Sequence, residues 1–515
     1  MPTVNQFLLD AWNTAPPEFT EKDAALAFLN CDGSVDEKLK RALELLQQVA
    51  RAAECEGTWK TLVHERLVAA EKAMKLLLPH HRDHVLHSAH LYLLGVTIYL
   101  RMLRPHSALA AVLAENYYRD AQAFYGRPET PYSCGARVID PILSLAANQT
   151  RIGSTFILDD AFFQRTGVPC SACSPADLAQ TACDTIAQLR GFEHCCGPAS
   201  AIQNAVHYLA DAVGSIGERN ADPLSCLPRT TSDLDGVFRR RWGQAAILHD
   251  AAYPLELAAE QIADYLEHTV KPLGCTFSPC PEPFGLTLNR VCDLVAVPLI
   301  QSVCSIRFNP CMCTDNAVSL LATNLSHKLH VDYTPDTLAR MMVSWLETEL
   351  HAGKLDHGVF SALLMLRLVN KELIDRLGER RRDTTLVNDN TSRAITPHRL
   401  CSAVEFYYIE CVDAAASVYL HNTKKYMPLF KNRELDYRDH PFAWLLFLCD
   451  QLQEWLRPSG DTDSMVQFQR AKEYHIDLVD GPQLHFDFPE KGADIRETFR
   501  QHLRLFGQEF VKRAE

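Results

Sequence analysis

The chain has 515 residues, of which 47% are hydrophobic, so it can bury a large core as several domains or as one domain with long insertions. Its formal net charge of −13 excludes a surface that is basic overall, so we do not expect nucleic acid as a partner. The first residues lack the basic and apolar pattern of a signal peptide, and the apolar stretch at 91–100 is too short to span a bilayer. We therefore expect a cytoplasmic protein without a membrane partner.

The first quarter of the chain has the periodicity of helices. Apolar residues at helical spacing predict an amphipathic helix over residues 36–75. A long helix is predicted from about Arg82 to Arg101. Pro105 closes this segment, and a further helix is predicted at His106–Tyr125.

Two long stretches of mixed character follow. Residues 126–240 combine loops rich in Pro, Cys and Gly with short helical stretches, and helix returns from Trp242 to His268. Residues 270–397 begin with a Pro- and Cys-rich loop, continue as helix through 287–372 and end in a charged, polar break. Within them, Thr334 is the predicted start of a helix.

The last part of the chain changes from helix to mixed structure. Strongly apolar helices are predicted at His398–Tyr419 and Pro441–Trp455. The alternating segments His475–Val479 and Leu484–Phe488 predict two short strands, and Ala493–Lys512 predicts a final helix.

Together these elements predict a mainly α protein in three parts. Residues 1–81 form an N-terminal helical region. Residues 82–455 form a helical core with insertions at about 126–240 and 270–397. Residues 456–515 form a small α/β tail.

Eighteen cysteines are a high count, and most of them lie between residues 170 and 313. Without a signal peptide, most are predicted to be reduced thiols that act as small apolar residues. Cys170 and Cys173 have the spacing of half a zinc knuckle, but no second pair of the same form follows. A structural zinc at this pair stays open beside the favoured interpretation of buried free thiols.

Three short segments, far apart in the sequence, carry residues that bind metals. They are His84–Ser88, Ile247–Asp250 and Leu448–Asp450, each in an apolar stretch of helical character. Burying imidazoles and carboxylates there is costly unless their charge is compensated, and a divalent cation compensates it. Such donors suit Mn, Fe, Mg, Zn, Co or Ni. The pattern predicts a metal-centred hydrolase, with a structural role favoured for His84 and His90 taken singly.

The order of these segments resembles the HD-domain superfamily of metal-dependent phosphohydrolases, in which His, His-Asp and Asp lie on separate helices of an all-α core. The resemblance covers residues 82–101, 242–258 and 415–455. Carried over position by position, it implies an HD-type helical core at 82–455 with four metal ligands: His87, His249, Asp250 and Asp450.

The chain departs from the family in two ways. The intervals from His87 to His249 and from Asp250 to Asp450 are longer than in compact members, which implies the two insertions. The segment Ala251–Pro254 stands where many members carry Ile-Gly-His or Ile-Gly-Lys, so the resemblance does not fix the proton donor.

Other residues are candidates for the remaining roles. His421 and His440 are the candidate catalytic proton donors, or ligands of a second metal. Arg82 and the run Arg239–Arg241 are candidates for binding phosphate oxygens, because guanidinium geometry suits them. Surface arginines are the simpler account of the run.

The resemblance implies phosphate-ester hydrolysis with one or two divalent ions, bridged by Asp250 if there are two. Members similar in size and ligand set include deoxynucleoside triphosphate triphosphohydrolases, which release triphosphate and often form nucleotide-regulated oligomers. Enzymes of this kind also deplete nucleotides in bacterial defence against phage. We therefore expect a nucleotide substrate, best a dNTP, with a regulatory nucleotide and a homo-oligomer as further expectations.

Two other interpretations stay open. A non-catalytic HD-type module would bind a nucleotide or metal as a sensor or scaffold, and the altered segment Ala251–Pro254 allows this. A helical interaction protein would bind no metal. The first predicts bound metal without turnover, and the second predicts that Asp250→Ala has no effect.

Overall fold

The computed structural model describes residues 1–62, 84–125, 231–253, 317–351, 356–369, 372, 406–422, 429, 434–453, 472–479, 483–487, 492–504 and 511–513. Helices predominate within these ranges, which confirms the prediction of a mainly α protein. Among the described helices, none has the length and apolar character needed to cross a membrane. Arg82, the pair Cys170 and Cys173, and most of the two predicted insertions lie outside the described residues.

Four helices begin the chain: α1 (Val4–Asn13), α2 (Lys22–Leu29), α3 (Val35–Ala52) and α4 (Glu56–Leu62). The side chains of Thr3 and Ser34 accept hydrogen bonds from the first turns of α1 and α3, so both helices start at a favourable N-cap. Their apolar faces join the same core as the helices that follow.

The prediction of one helix over residues 36–75 is wrong. Helix α3 ends at Ala52, and Glu54 has φ of 58°, a left-handed conformation that interrupts an α-helix. The chain resumes as α4, where the carboxylate of Glu372 accepts hydrogen bonds from the backbone N–H groups of Gly57 and Thr58 at 3.0 and 2.7 Å. Apolar periodicity continues across such a turn, so it does not reveal the break.

Helix α5 (His84–Ile98) is buried along its whole length. It continues as a π-helical turn at Tyr99–Leu103, and α6 (Ser107–Tyr125) follows close to its predicted bounds. A Cβ at Gly95 would overlap the ring of Trp242, so glycine lets α7 (Thr231–Leu248) approach α5 closely.

The helices that carry the predicted ligands pack around α7. Helix α7 contacts α5, and also α10 (Val412–Leu420) and α11 (Pro441–Leu452); α11 contacts α5 and α10 as well. A π-helical segment, Phe406–Cys411, precedes α10, where the sequence predicts an uninterrupted helix over His398–Tyr419. This packing brings residues more than 150 positions apart into one centre.

Part of the second predicted insertion packs on these helices. Helices α8 (Ala317–Lys328) and α9 (Pro335–His351) pack against each other, and α8 also contacts α10. As predicted, Thr334 caps α9, since its Oγ1 accepts a hydrogen bond from the N–H of Thr337 at 3.3 Å. Residues 357–369 form a further helical segment.

The tail contains the predicted strands β2 (His475–Val479) and β3 (Gln483–Asp487), which pair antiparallel. The final helix differs from its prediction: α12 (Gly492–His502) stops early, and two strands follow it. Leu503–Arg504 (β4) pairs in parallel with Leu435–Asp436 (β1), and Val511–Arg513 (β5) pairs in parallel with β3. Pairing with distant strands therefore ends the helix.

The cysteines in the described residues agree with the prediction of free thiols. Cys31, Cys55, Cys411 and Cys449 are unbridged, and all but Cys31 are buried. Burial raises the pKa of the Cys411 and Cys449 thiols, as expected for small apolar residues.

Candidate metal centre

Two candidate ligands stand at the C-terminal ends of helices in the same way. His249 follows α7, and its Nδ1 lies 3.0 Å from the carbonyl oxygen of Ala246. His421 follows α10, and its Nδ1 lies 2.5 Å from the carbonyl oxygen of Val418. Because a carbonyl oxygen only accepts, Nδ1 carries the proton in both rings. In the neutral ring Nε2 therefore keeps a lone pair, which can bind a metal.

The ring of His87 is oriented by a side-chain amide. Its Nδ1 lies 2.8 Å from Oε1 of Gln453, at the end of α11. The amide also contacts the main chain of His87 and Leu91, and those contacts taken alone favour the reversed amide orientation. Ligation through Nε2 requires the proton on Nδ1, so a metal would select the orientation in which the Gln453 oxygen faces the ring.

The four predicted ligands meet in one group. Nε2 of His87 lies 3.0 Å from Nε2 of His249 and 3.2 Å from Oδ1 of Asp450. Oδ2 of Asp250 lies 3.1 Å from Nε2 of His249 and 3.6 Å from Nε2 of His87. Side chains from α5, α11 and the end of α7 thus converge on one point.

A second group lies on the other side of Asp250. Its Oδ1 is 3.4 Å from Nε2 of His357 and 3.8 Å from Nε2 of His421, and these two nitrogens are 3.1 Å apart. His421 is therefore placed as the sequence allows for a ligand of a second metal. His357 is a residue that sequence reasoning missed.

Asp250 is shared by the two groups, because each of its carboxylate oxygens faces a different one. Burial alone would raise the pKa of this carboxyl, but His249, His357 and His84 together hold it well below its usual range. Asp250 is therefore ionised and can bind two cations at once.

The separations within each group fit a divalent ion. A ring nitrogen lies about 2.1 Å from a bound ion, so two nitrogens at right angles around it are about 3.0 Å apart. The Nε2 pairs are 3.0 Å apart in the first group and 3.1 Å apart in the second. With carboxylate oxygens beside each pair, the donor set suits ions of the Mn, Fe, Co, Ni or Zn type.

Among the described residues, exposure at the centre is uneven. The side chains of Asp450 and His357 each keep 16% exposure, whereas those of His87 and His249 are fully buried. The partly exposed ring of Tyr253 lies between His84 and His357, with centroid distances of 4.2 and 5.4 Å. Asp450, His357 and Tyr253 are thus among the described residues of the centre that keep some exposure to solvent.

His440, the other predicted catalytic residue, has its polar contacts elsewhere. It is the N-cap of α11, where its Nδ1 accepts a hydrogen bond from the N–H of Ala443 at 3.4 Å. Its Nε2 lies 3.5 Å from Oδ1 of Asp413. These contacts place His440 beside the buried Asp413 and give no support to its predicted catalytic role.

The side chains of the arginine run Arg239–Arg241 bind other groups of the chain. Arg239 donates to the carbonyl oxygen of Glu18, and Arg240 forms a bidentate pair with Glu410. Arg241 is fully buried beside carboxylates. All three bind groups of their own chain, and these contacts give no support to a phosphate-binding role for the run.

His357 reaches the centre through local contacts that a sequence only weakly reveals. Asp356 precedes it and caps the helical segment 357–369, since its Oδ1 accepts a hydrogen bond from the N–H of Val359 at 3.1 Å. Ser361 of this segment accepts a hydrogen bond from the N–H of Ala252 at 2.9 Å, which ties it to the turn after Asp250. An Asp-His pair before an apolar helix is the only local signal.

Acid should destabilise the metal-free protein through His440. Burial lowers the pKa of His440 to about 3, against about 6.5 in an unfolded chain. Below pH 6.5 the unfolded chain binds a proton that the folded protein does not. The free energy of unfolding therefore falls as the pH drops toward 3, by about 2 kcal/mol at pH 5.

The substitution His440→Asn tests this, because Asn keeps an N-cap acceptor and removes the titrating ring. In urea unfolding with EDTA at pH 7.5 and pH 5, the variant should lose about 2 kcal/mol less than the wild type. An identical loss in both proteins would show that His440 is not the group responsible.

Comparisons of the chain with protein-family models, with curated proteins and with solved structures found no match. The resemblance to HD-domain phosphohydrolases thus rests on the residues themselves.

Proposed function

We propose that this protein is a metal-dependent phosphohydrolase that acts on a nucleotide. The observation that carries the proposal is the position of Asp250, whose two oxygens face two separate groups of imidazoles. Ligands drawn from distant parts of the chain converge there, in the order that the HD-type resemblance implies. A plain structural cluster would not require buried histidines on both sides of one carboxylate.

The donor set suits phosphoryl chemistry. Divalent ions bound there would activate water and stabilise charge on phosphoryl oxygens, which is where catalysis of phosphoryl transfer gains most. The chain orients His249 and His421 through hydrogen bonds from Nδ1 to backbone carbonyl oxygens. In the neutral rings, Nε2 is then unprotonated and can bind a metal. Asp250 keeps its negative charge between the two groups.

A histidine beside the two groups could contact a substrate. His84 is the imidazole of the centre that belongs to neither ligand group, and its Nε2 lies 3.9 Å from Oδ2 of Asp250. With His421 in the second group and His440 elsewhere, we assign the contact with the leaving oxygen to His84. The ring of Tyr253 packs on His84, with ring centroids 4.2 Å apart.

The nucleotide part of the proposal comes from the resemblance. Similar members include dNTP triphosphohydrolases, so a dNTP is our first choice of substrate, with nucleotide depletion in phage defence as the implied role. The implied regulatory nucleotide and homo-oligomer belong to the same proposal, as does the cytoplasmic location.

A product screen tests the proposal. Purified protein with Mn²⁺ is incubated with dNTPs, NTPs, 5′-nucleotides, cyclic dinucleotides and guanosine tetraphosphate, and phosphate, pyrophosphate and triphosphate are measured. Triphosphate release from dNTPs is expected, with metal content measured in parallel. Bound metal without turnover would favour the alternative function, a non-catalytic sensor or scaffold. A protein without bound metal would overturn the proposal.

In the same screen, His84→Gln should lower kcat roughly 100-fold and leave the metal content unchanged, because it removes a contact to substrate and no ligand. Its matched control is His106→Gln, which changes an exposed histidine outside the centre. Wild-type turnover in His84→Gln would exclude His84 from the reaction, and loss of metal would make it a ligand.

A further inference from the structure

A second buried cluster lies among the same helices, formed by four charged side chains. Arg241 and Asp413 are fully buried, and Lys328 and Asp120 are buried as well. They come from α7, α10, α8 and α6, respectively. The two basic and two acidic side chains compensate each other's charge, which lowers the cost of burying them.

The four side chains form a closed ring in which each cation contacts each anion. Nη1 of Arg241 donates to Oδ2 of Asp120 at 2.8 Å and to Oδ2 of Asp413 at 2.6 Å. Nζ of Lys328 donates to Oδ2 of Asp120 at 3.0 Å and also to Oδ1 of Asp413. We call these four residues the charge ring.

Other side chains complete the surroundings of the charge ring. Lys328 also donates to Oδ1 of Asn116 at 2.5 Å. The guanidinium of Arg241 lies over the rings of Tyr117 and Phe442, at 4.9 and 5.7 Å from their centroids. His440 contacts Asp413, so α11 also reaches the ring.

The helices of the charge ring are those of the metal centre. Arg241 lies within α7, eight residues before His249, and Asp413 lies in the first turn of α10, eight residues before His421. Eight residues are just over two helical turns, about 12 Å along the axis. The direct pair Arg241–Asp413 therefore ties α7 to α10 two turns before each helix presents its histidine.

We propose that Arg241 and Asp413 are positioning residues, which fix α10 against α7 so that His421 faces Oδ1 of Asp250. His421, which directly follows α10, is a candidate metal ligand of the second group alone. A shift of α10 along α7 would therefore weaken the second ion and spare the first. This inference rests on the metal centre of the proposed function.

Two double variants of equal charge test the inference. Arg241→Met/Asp413→Asn removes the pair between α7 and α10 and leaves Lys328 with Asp120. Asp120→Asn/Lys328→Met removes the pair on helices without ligands and leaves Arg241 with Asp413. Each variant deletes one positive and one negative charge from the same ring, so a general loss of stability affects both.

Calorimetric titration of the metal-free, full-length proteins with Mn²⁺ gives the readout. The Arg241→Met/Asp413→Asn variant should bind the first ion as the wild type does and the second roughly 10- to 100-fold more weakly. The Asp120→Asn/Lys328→Met variant should bind both ions as the wild type does. Equal second-ion affinities in the two variants would overturn the inference. A wild type that binds no Mn²⁺ would overturn the proposed function with it.

Circular dichroism establishes that each variant is folded. If Arg241→Met/Asp413→Asn does not fold, Asp413→Glu takes its place, since it keeps the charge and moves the carboxylate by one methylene group. The second ion should then bind more weakly, with the first unchanged. A folded Asp413→Glu protein with wild-type affinity for both ions would overturn the inference.

Discussion

Asp250→Asn should abolish turnover and remove both bound ions. The change is nearly isosteric, but it replaces a charged carboxylate with a neutral amide that offers one oxygen. Both groups use this side chain, with Oδ2 3.1 Å from His249 and Oδ1 3.4 Å from His357. We expect kcat/KM to fall roughly 1000-fold or more, equivalent to about 4 kcal/mol of transition-state stabilisation.

The matched control is Asp477→Asn, which makes the same chemical change at a partly exposed aspartate paired with Arg101. Its turnover and metal content should equal those of the wild type. Metal is measured by mass spectrometry after dialysis, and circular dichroism confirms folding. An Asp250→Asn protein with wild-type metal content would contradict the shared-carboxylate arrangement.

The meeting of the four predicted ligands in the first group could be predicted because each lies in a recognisable helical context. His87 lies within a fully buried helix, and His249 and Asp250 directly follow α7. Asp450 lies near the end of the apolar helix α11. Burying such donors demands a charge partner, and that physical demand is visible in the sequence without any knowledge of contacts.

His357 could not be predicted in the same way. It lies in a stretch assigned to an insertion, and its approach to Asp250 depends on contacts such as that between Ser361 and Ala252. Docking of this kind is set by tertiary packing and leaves no periodic pattern. The sequence alone does not distinguish His421 from His440, because only tertiary contacts place His421 beside Asp250 and His440 at the start of α11.

The charge ring could not be predicted from the sequence for a related reason. Charged residues on a helix are usually exposed to solvent, so the sequence does not predict that Asp120, Lys328 and Arg241 are buried. Each is buried beside an opposite charge from another helix. Likewise, the sequence predicts a final helix that continues to Lys512, because helical propensity carries no information about the pairing of β5 with β3.

His357→Gln should remove one ion of the two and retain the other. The second group would keep only His421 and one oxygen of Asp250, whereas the first group would keep all four of its side chains. The number of Mn²⁺ ions bound per chain should therefore fall from two to one. Turnover should drop roughly 100-fold, because charge on the phosphoryl oxygens would be stabilised by one ion instead of two.

The control is His330→Gln, since His330 is an exposed histidine whose imidazole pairs with Asp439 and belongs to neither group. It should bind two ions and turn over as the wild type does. Titration of the metal-free proteins with Mn²⁺ gives the number of ions and their affinities. Two ions in His357→Gln would mean that the second group is not a metal site. One ion in the wild type, lost in Asp250→Asn but kept in His357→Gln, would leave the first group as the whole metal centre, with His357 and His421 as its buried surroundings.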